Sequence, residues 1–234
     1  MFDRSSCERS GCGLFDSDTL SDDELDMTIL PRIYPITDTA VSGLSHTEQV
    51  KRLIDGGARL IQLRDKHGAP QDFLRDSETA LTTARQNNVR IIINDRVDIA
   101  MAVVADGVHL GQSDMPVKAA RSLLGPQAII GYSTHNVAQA KQAVILPVDY
   151  VAFGPVFDTR TKLDHEPVVG LSQLREIKDI LDQIPLVAIG GITEANLSQA
   201  FGAGANSVAL IADLLKEPNK IAEKLKRMLS IARD

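Results

Sequence analysis

The sequence predicts an α/β protein with a (β/α)8 TIM-barrel fold, and two observations lead to that prediction. Eight short runs rich in Val, Ile and Leu recur along the chain, and each is followed by a polar or glycine-containing end. A stretch with helical features follows each run, so strands and helices alternate. Nearly continuous apolar content is typical of parallel strands buried on both faces, and eight β-α repeats close into a barrel. A doubly wound open sheet is the alternative, but no GxGxxG motif follows the first run.

The strands are predicted in chain order from the apolar runs. The first run, RIYPITD, is typical because β-branched and aromatic residues precede a polar end. The eight predicted strands cover residues 32–38, 60–65, 90–95, 107–112, 128–134, 150–155, 186–191 and 207–212.

The helices are predicted from start and stop signals between the strands. Ser45 and Glu48 have the spacing of a capping box, and two glycines would end this first helix after Asp55. Pro70 and Pro116 stand at helix starts, where a missing N–H costs little. Further helices are predicted over residues 70–87, 97–104, 116–124, 136–145, 171–182, 193–203 and 216–231.

The first 28 residues differ in composition from the rest of the chain. They hold eight of the 31 acidic and two of the 25 basic residues, so they carry the whole formal charge of −6, and residues 29–234 hold 23 of each sign. Rich in Ser, Asp and Gly, they are predicted to form a disordered acidic extension of a single barrel domain. We expect a solvated tail, or a start assigned too early with Met27 as the first residue; a regulatory or redox segment using Cys7 and Cys12 is the alternative.

Composition excludes several classes of protein. The chain has 234 residues, 44% of them hydrophobic, which supplies a large core and excludes a disordered protein. No apolar run approaches the ~18 residues of a membrane span. Both cysteines lie in the extension, so the barrel has no disulfide framework and no cysteine zinc site. The balanced charge of the barrel argues against a nucleic-acid partner, and without signal or transit features we expect a cytoplasmic protein.

Polar residues at the ends of the predicted strands form the candidate site, because the active site of such a barrel lies at the carboxyl ends of its strands. Asp95 and Asp114 are oxygen ligands suited to Mg²⁺, which usually takes one or two carboxylates and completes its shell with water and phosphate oxygens. Arg64, Lys66 and Lys162 can face several phosphate oxygens at once. This combination of carboxylates, Mg²⁺ and three cations suits a diphosphate better than a single phosphate.

A second anion site is predicted after the seventh and eighth strands. The loops at these positions frequently bind phosphate through backbone N–H groups in this fold. Gly190 and Gly191 allow a close backbone approach, and the chain around Ile211 and Ala212 would contribute N–H groups. A tight turn also needs glycine, so the glycine pair by itself is a weak indication.

Single residues at these positions also have purely structural interpretations. Asp95 by itself could cap the next helix or pair with Arg96. His109 lies within a strand pattern and is interpreted as a packed core histidine, whereas His67 and His165 lie in loops and are expected to be solvated. The prediction therefore depends on the combination of complementary groups from separate strand ends.

Several motifs together resemble those of the thiamine-phosphate synthase family. They span about residues 30–228, in order and at the predicted strand ends. They are QLRDK at 62–66, ND at 94–95, GVHLGQSD at 107–114, IGYSTH at 130–135, GPVFDTRTK at 154–162, TKLD at 161–164 and AIGGI at 188–192.

The resemblance implies that the chain joins 4-amino-5-hydroxymethyl-2-methylpyrimidine diphosphate to a thiazole phosphate and releases diphosphate in a Mg²⁺-assisted dissociative displacement. It assigns the pyrimidine to Gln62, the neighbourhood of the reacting methylene to Ser133, and Mg²⁺ to Asp95 and Asp114. It further assigns the diphosphate to Arg64, Lys66, Asn94 and Lys162, and the thiazole phosphate to Thr159, Thr161, Gly190, Gly191 and the backbone at Ile211 and Ala212.

The sequence departs from the family pattern in its acidic extension and at Ala212, where the family often has Ser. Loss of that hydroxyl removes a contact to the thiazole phosphate worth about 1 kcal/mol. Two alternative functions remain. A thiazole tautomerase of the same barrel family would use a base such as histidine and would not need the diphosphate-binding cations. A non-catalytic phosphate-binding barrel would have lost those residues, which are present here.

Overall fold

Eight parallel strands form a closed barrel in the computed structural model, which describes residues 30–159 and 167–233. Each strand pairs with the next one along the chain, and the last strand pairs with the first. In the closing pair, Pro35 lies opposite Leu210, while on its other side the first strand places Ile36 opposite Gln62. The predicted (β/α)8 barrel is confirmed.

The observed strands all lie within the predicted runs. Seven of the eight observed strands end before their runs do, and the last residues of those runs belong to the segment that connects the strand to the next element. The exception is β5, which keeps the final Thr of its run. The strands are β1 (Ile33–Thr37), β2 (Leu60–Leu63), β3 (Arg90–Asn94), β4 (Gly107–Leu110), β5 (Ile129–Thr134), β6 (Tyr150–Phe153), β7 (Leu186–Ala188) and β8 (Ser207–Leu210).

The helices lie outside the barrel and connect successive strands. Each packs an apolar face on the sheet, so the outer surface of the barrel is covered. They are α1 (Thr39–Ser42), α2 (His46–Asp55), α3 (Pro70–Arg85), α4 (Val97–Ala102), α5 (Val117–Leu124), α6 (Val137–Ala143), α7 (Gly170–Leu181), α8 (Leu197–Gly202), α9 (Ala212–Leu215) and α10 (Ile221–Ile231).

The predicted start of α2 is confirmed in its hydrogen bonds. Ser45 Oγ accepts from the backbone N–H of Glu48 at 3.1 Å, and the Glu48 carboxylate accepts from the Ser45 N–H at 3.3 Å. This capping box satisfies two N–H groups that the first turn leaves unpaired. Pro70 begins α3 as predicted, and Pro116 is the N-cap residue of α5.

The last two helical predictions begin too early. The helix predicted from residue 216 begins at Ile221, because Pro218 cannot enter an α-helical interior and instead starts a short 3₁₀ turn, Pro218–Lys220. The helix predicted from residue 193 begins at Leu197, because the Asn196 side chain accepts from the Thr193 N–H at 2.7 Å and holds a turn there. The short helices α1 and α9 were not predicted.

The core has two layers, which explains the continuous apolar runs of the strands. In β3, Ile91 and Ile93 face the surrounding helices, whereas Ile92 faces the barrel interior. The interior layer also contains Tyr34 and Tyr150, and both rings are almost fully buried. Because both faces of each strand are covered, most strand residues are apolar, and buried polar ones such as Gln62 and His109 need hydrogen-bond partners inside the barrel.

Several predicted features lie outside the described residues. These are Thr161, Lys162 and His165, and the acidic extension of residues 1–28 with Cys7 and Cys12. The division of the chain into this extension and a barrel domain from residue 29 stays a prediction. Among the helices in the described ranges, none combines the length and apolar character needed to span a membrane.

Candidate active site

The barrel brings the described candidate residues to one mouth, because each lies at the carboxyl end of a strand or in the loop that follows. Gln62 lies within β2 and Arg64 directly follows it, while Asn94 ends β3 and Asp95 comes next. Ser133 is the penultimate residue of β5. The others lie in the segments after their strands: Lys66 after β2, Asp114 after β4, Thr159 after β6, Gly190 and Gly191 after β7, and Ile211 and Ala212 after β8.

Asp95 lies between a lysine and a second carboxylate. Its Oδ2 accepts a hydrogen bond from Lys66 Nζ in an ion pair, and its carboxylate also interacts with that of Asp114. Asp114 Oδ2 accepts from the Gly111 N–H at 2.6 Å. Burial, and next the charge of Asp95, raise the pKa of the Asp114 carboxyl above its ordinary value. Two neighbouring carboxylates of this kind favour an added cation or proton.

The backbone turns sharply at Asp95. Its φ of +63° is left-handed, a conformation that Asp tolerates better than most non-glycine residues. The Asp95 N–H donates to the His109 carbonyl at 2.8 Å, so β4 holds the turn in place. The N-cap residue of α4 is Arg96, which forms an ion pair with Asp98. The interpretation of Asp95 as a helix cap or as a partner of Arg96 is therefore wrong.

Arg64 is held by a carboxylate from the neighbouring strand end. Its Nη1 donates to Asp38 Oδ2, and the Arg64 and Asp38 side chains are only 10% and 9% exposed. The other oxygen, Asp38 Oδ1, accepts from the backbone N–H groups of Ala40 and Val41 and so caps α1. Sequence reasoning missed this contact; the polar end of the first strand was the signal that could have indicated it.

The carboxylates of the site suit a magnesium ion whose coordination shell is completed by other ligands. Among residues 30–159 and 167–233, no cluster of three or more His, Cys, Asp or Glu side chains is placed to hold a metal. Mg²⁺ needs less from a protein, because it usually keeps several waters and binds one or two carboxylates and substrate phosphates. Asp95 and Asp114, with the raised pKa of the latter, fit that smaller requirement.

The two glycines after β7 are explained by packing against the protein itself. Gly190 and Gly191 have φ values of +96° and +65°. A Cβ at Gly190 would lie 2.5 Å from the Pro155 Cα, and one at Gly191 would lie 2.7 Å from the Phe157 carbonyl oxygen. The close approach that requires glycine is therefore to the segment after β6, and the glycines by themselves do not indicate a ligand.

The segment after β8 leads directly into α9. Ile211 is the N-cap residue and Ala212 is the first helical residue, so backbone N–H groups are available at this strand end. The Asp213 carboxylate accepts from the Glu194 N–H at 3.1 Å and ties this segment to the loop after β7. The two loops predicted to bind a phosphate are thus neighbours.

Ser133 is in contact with a histidine. His109 Nε2 lies 2.8 Å from Ser133 Oγ, and His109 itself is only 6% exposed. His109 is buried, as a packed core histidine would be, but it also hydrogen-bonds a candidate site residue. Both residues face inward on adjacent strands. The sequence does not show this, because strands that are buried on both faces do not mark which residues point into the barrel. His67, by contrast, is exposed as predicted.

The comparisons with known proteins identify the family. Residues 33–214 match the family model described as thiamine monophosphate synthase. The chain is 41% identical over 205 residues to the thiamine-phosphate synthase of Koribacter versatilis, covering 86% of this chain and 96% of the relative. It is 39% identical over 206 residues to the thiamine-phosphate synthase of Chloroflexus aurantiacus, covering 87% and 94%.

A solved structure agrees with these relatives. The thiamine phosphate pyrophosphorylase from Pyrococcus furiosus superposes with a TM-score of 0.77 at 32% identity, covering 86% of this chain and 95% of that one. The resemblance seen in the sequence motifs is therefore confirmed over most of the chain. The chain belongs to the thiamine monophosphate synthase family.

Proposed function

We propose that the chain is a thiamine-phosphate synthase, a transferase that joins a pyrimidine diphosphate to a thiazole phosphate. The observation that carries this proposal is the group of Lys66, Asp95 and Asp114 at the barrel mouth, in a chain that belongs to the family. In the proposed dissociative reaction, the methylene–oxygen bond of the pyrimidine substrate breaks first, and diphosphate leaves with the electron pair. The thiazole nitrogen then donates its lone pair to the methylene carbon.

The diphosphate is assigned to the cations and the amide of the mouth, namely Arg64, Lys66, Asn94 and Lys162. Departure of diphosphate concentrates negative charge on the leaving oxygens, so fixed cations stabilise the transition state more than the substrate. Arg64 is supported by Asp38, which limits the rotamers of its guanidinium and so reduces the entropy lost on binding. This arrangement favours bidentate contact with phosphate oxygens.

Asp95 and Asp114 are the residues that would hold Mg²⁺. The ion supplies positive charge next to the diphosphate oxygens when it is bound. The raised pKa of Asp114 supports this assignment, because it reflects unfavourable burial and repulsion that a bound cation would relieve. Lys66 partly relieves this repulsion in the described structure through its ion pair with Asp95.

The remaining residues are assigned to orientation of the two substrates. Gln62 would contact the pyrimidine and Ser133 the region of its methylene group. Because the thiazole nitrogen attacks with its own lone pair, the reaction needs neither a covalent nucleophile nor a strong general base. The protein contributes mainly position and electrostatic stabilisation. The thiazole phosphate is assigned to Thr159, Thr161, Gly190, Gly191 and the backbone at Ile211 and Ala212.

The direct test is to incubate the full chain with the pyrimidine diphosphate, the thiazole phosphate and Mg²⁺. We expect stoichiometric thiamine phosphate and diphosphate, and no product in EDTA. Asp95→Asn combined with Asp114→Asn should abolish the Mg²⁺-dependent activity. Asp72→Asn, which changes a carboxylate 71% exposed on α3, is the matched control and should keep full activity.

The same assay separates the alternatives. A thiazole tautomerase would convert its thiazole substrate in EDTA and would form no thiamine phosphate. A non-catalytic phosphate-binding barrel would bind the thiazole phosphate in calorimetry but would release no diphosphate. Full activity of the double variant without metal would contradict the assignment of Mg²⁺ to these two carboxylates.

A further inference from the structure

Five polar side chains form a continuous hydrogen-bonded chain through the barrel interior. We call it the interior chain, and it consists, in order, of Gln62, Tyr34, Tyr150, His109 and Ser133. The first four are only 2%, 1%, 0% and 6% exposed, respectively. The five residues come from five different strands, and the two at the ends are residues that the proposed function assigns to the pyrimidine substrate.

Each link of the interior chain has the geometry of a hydrogen bond. Gln62 Nε2 lies 3.0 Å from Tyr34 Oη, and the hydroxyls of Tyr34 and Tyr150 are 2.9 Å apart. Tyr150 Oη lies 3.0 Å from His109 Nδ1, and His109 Nε2 lies 2.8 Å from Ser133 Oγ. These separations are in the normal range, so the buried polar groups are satisfied by one another.

The barrel interior is shaped around these links. The Tyr150 ring meets Tyr34 edge to face at a centroid distance of 5.8 Å and stacks on His109 at 5.5 Å. Gly131 lies opposite His109 in the β4–β5 register. A Cβ at Gly131 would collide with the ring and hydroxyl of Tyr150 and with His109 Nδ1. Glycine is therefore needed there for Tyr150 to reach the histidine.

The direction of the hydrogen bonds is set at the glutamine end. Gln62 donates through Nε2, an amide nitrogen that cannot accept. Burial raises the pKa of Tyr34 and of Tyr150 above the ordinary value, so each hydroxyl keeps its single proton. Tyr34 accepts from Gln62, so the acceptor left in the interior chain for its own proton is Tyr150 Oη, and the acceptor left for the Tyr150 proton is His109 Nδ1. A ring nitrogen that accepts carries no proton, so the ring proton of His109 is on Nε2 and is directed at Ser133 Oγ.

We propose that the interior chain fixes the Nε2–H tautomer of His109 and makes the Ser133 hydroxyl a hydrogen-bond donor toward the substrate. Tyr34, Tyr150 and His109 are positioning residues, because they act through the two end residues. Ser133 Oγ already accepts from His109, so its own proton is directed elsewhere. At the opposite end, Tyr34 accepts from Gln62 Nε2, which orients the amide and leaves its carbonyl oxygen as an acceptor for the substrate.

The interior chain explains recognition of an aminopyrimidine, and this step rests on the proposed function. The exocyclic amino group of such a ring is a donor that matches the Gln62 carbonyl oxygen. The ring nitrogens and the ester oxygen of the leaving group are acceptors that match the Ser133 hydroxyl. A 4-oxo analogue has an acceptor in place of the amino donor. Its oxygen would face the Gln62 carbonyl oxygen, and no proton would lie between these two acceptors to form a hydrogen bond. Sites built on such hydrogen bonds reject mismatched analogues by orders of magnitude.

The first test measures the tautomer directly and does not require activity. The full chain, labelled with ¹⁵N-histidine, is examined by long-range ¹H–¹⁵N correlation, and the His109 signals among the five histidines are identified by their loss in His109→Gln. We expect a protonated Nε2 and an unprotonated Nδ1. A protonated Nδ1 would overturn the proposal, because reversing the Gln62 amide reverses every link. Tyr150→Phe should give a mixture of tautomers, whereas Tyr132→Phe, the matched loss of a phenol outside the interior chain, should leave the tautomer unchanged.

The second test measures coupling between Tyr150 and Ser133 in a double-mutant cycle on kcat/KM. We expect Ser133→Ala to cost about tenfold in the wild-type background and less than about threefold in Tyr150→Phe, because residues in one hydrogen-bond network are coupled. A merely structural Tyr150 would give equal fold losses in both backgrounds, and that outcome contradicts the proposal.

A conservative replacement at His109 keeps the proposal testable if Tyr150→Phe does not fold. His109→Gln retains an amide N–H that can donate to Ser133 and should keep more activity than His109→Leu by about tenfold. Equal activity of the two variants would contradict the positioning role. If the wild-type chain forms no thiamine phosphate, the proposed function fails, while the tautomer measurement still decides whether the interior chain is directional.

Discussion

Asp38 offers the sharpest test of how the barrel mouth is held together. Its carboxylate has two separate tasks, one for each oxygen. Oδ1 accepts from the Ala40 and Val41 N–H groups at 3.0 and 3.2 Å, and Oδ2 pairs with the Arg64 guanidinium. Substitution by alanine removes both tasks, whereas substitution by asparagine keeps an oxygen for the cap and removes the charge.

The magnitudes follow from the burial of the pair. Loss of an N-cap side chain costs about 1 kcal/mol. Removing one partner of a buried ion pair leaves a charge without compensation and costs about 3 kcal/mol, at the lower end of the usual range, because Arg64 lies at the barrel mouth. Asp38→Ala should therefore lower the free energy of unfolding by about 4 kcal/mol and Asp38→Asn by about 3 kcal/mol.

Urea unfolding followed by circular dichroism measures both values, provided that the m-values stay equal. Asp72→Ala is the control, because its pair with Arg75 is 71–74% exposed and exposed pairs contribute little. A loss below about 1 kcal/mol in Asp38→Ala would refute the view that the carboxylate compensates a buried charge. Equal losses in the alanine and asparagine variants would refute the separate capping role.

Three further predictions concern the site and the extension. Lys162→Ala should lower turnover about tenfold or more with an unchanged circular dichroism spectrum, because the proposed function assigns this cation to the leaving diphosphate; an unchanged rate would contradict that assignment. The folded-state pKa of Asp114 is raised, so the folded chain binds this proton more tightly than the unfolded chain does. The resulting contribution to the free energy of unfolding is fully present below the unfolded-state pKa. It is lost as the pH rises through the folded-state pKa. The uncharged Asp114→Asn should therefore be more stable than the wild type at pH 7 without metal, with a difference that shrinks on acidification below the ordinary Asp pKa; a difference independent of pH would contradict this reasoning. Deletion of residues 1–26 should leave the specific activity within about twofold, because termini of this composition make few structural contacts, and a larger loss in the same assay would assign them a function.

The sequence predicted the barrel well because its strands satisfy a simple physical requirement. A parallel strand covered on both faces must be largely apolar, and each of the eight runs shows this directly. Helix boundaries were predicted less well where local hydrogen bonds compete with the helix, as at Thr193 and Asn196, or where Pro218 interrupts it.

The candidate residues of the mouth were predictable for a related reason. Once the strands are known, the residues that end them must meet at one end of the barrel, so Asp95 and Asp114 are expected to be close without any coordinates. Their contacts were not predictable. That Asp95 pairs with Lys66 rather than with the adjacent Arg96 depends on a left-handed backbone that a strand pattern does not reveal.

The sequence by itself thus determined the fold class, the family and the end of the barrel at which the candidate site lies, because periodicity and motif spacing are local properties of the chain. The tertiary structure alone decided which groups touch. Tyr34 and Tyr150 are 116 residues apart, and their hydroxyls meet because barrel closure points both side chains into the same interior. A continuously apolar strand does not mark which of its residues face inward, so closure alone decides that Gln62 and Ser133 are linked.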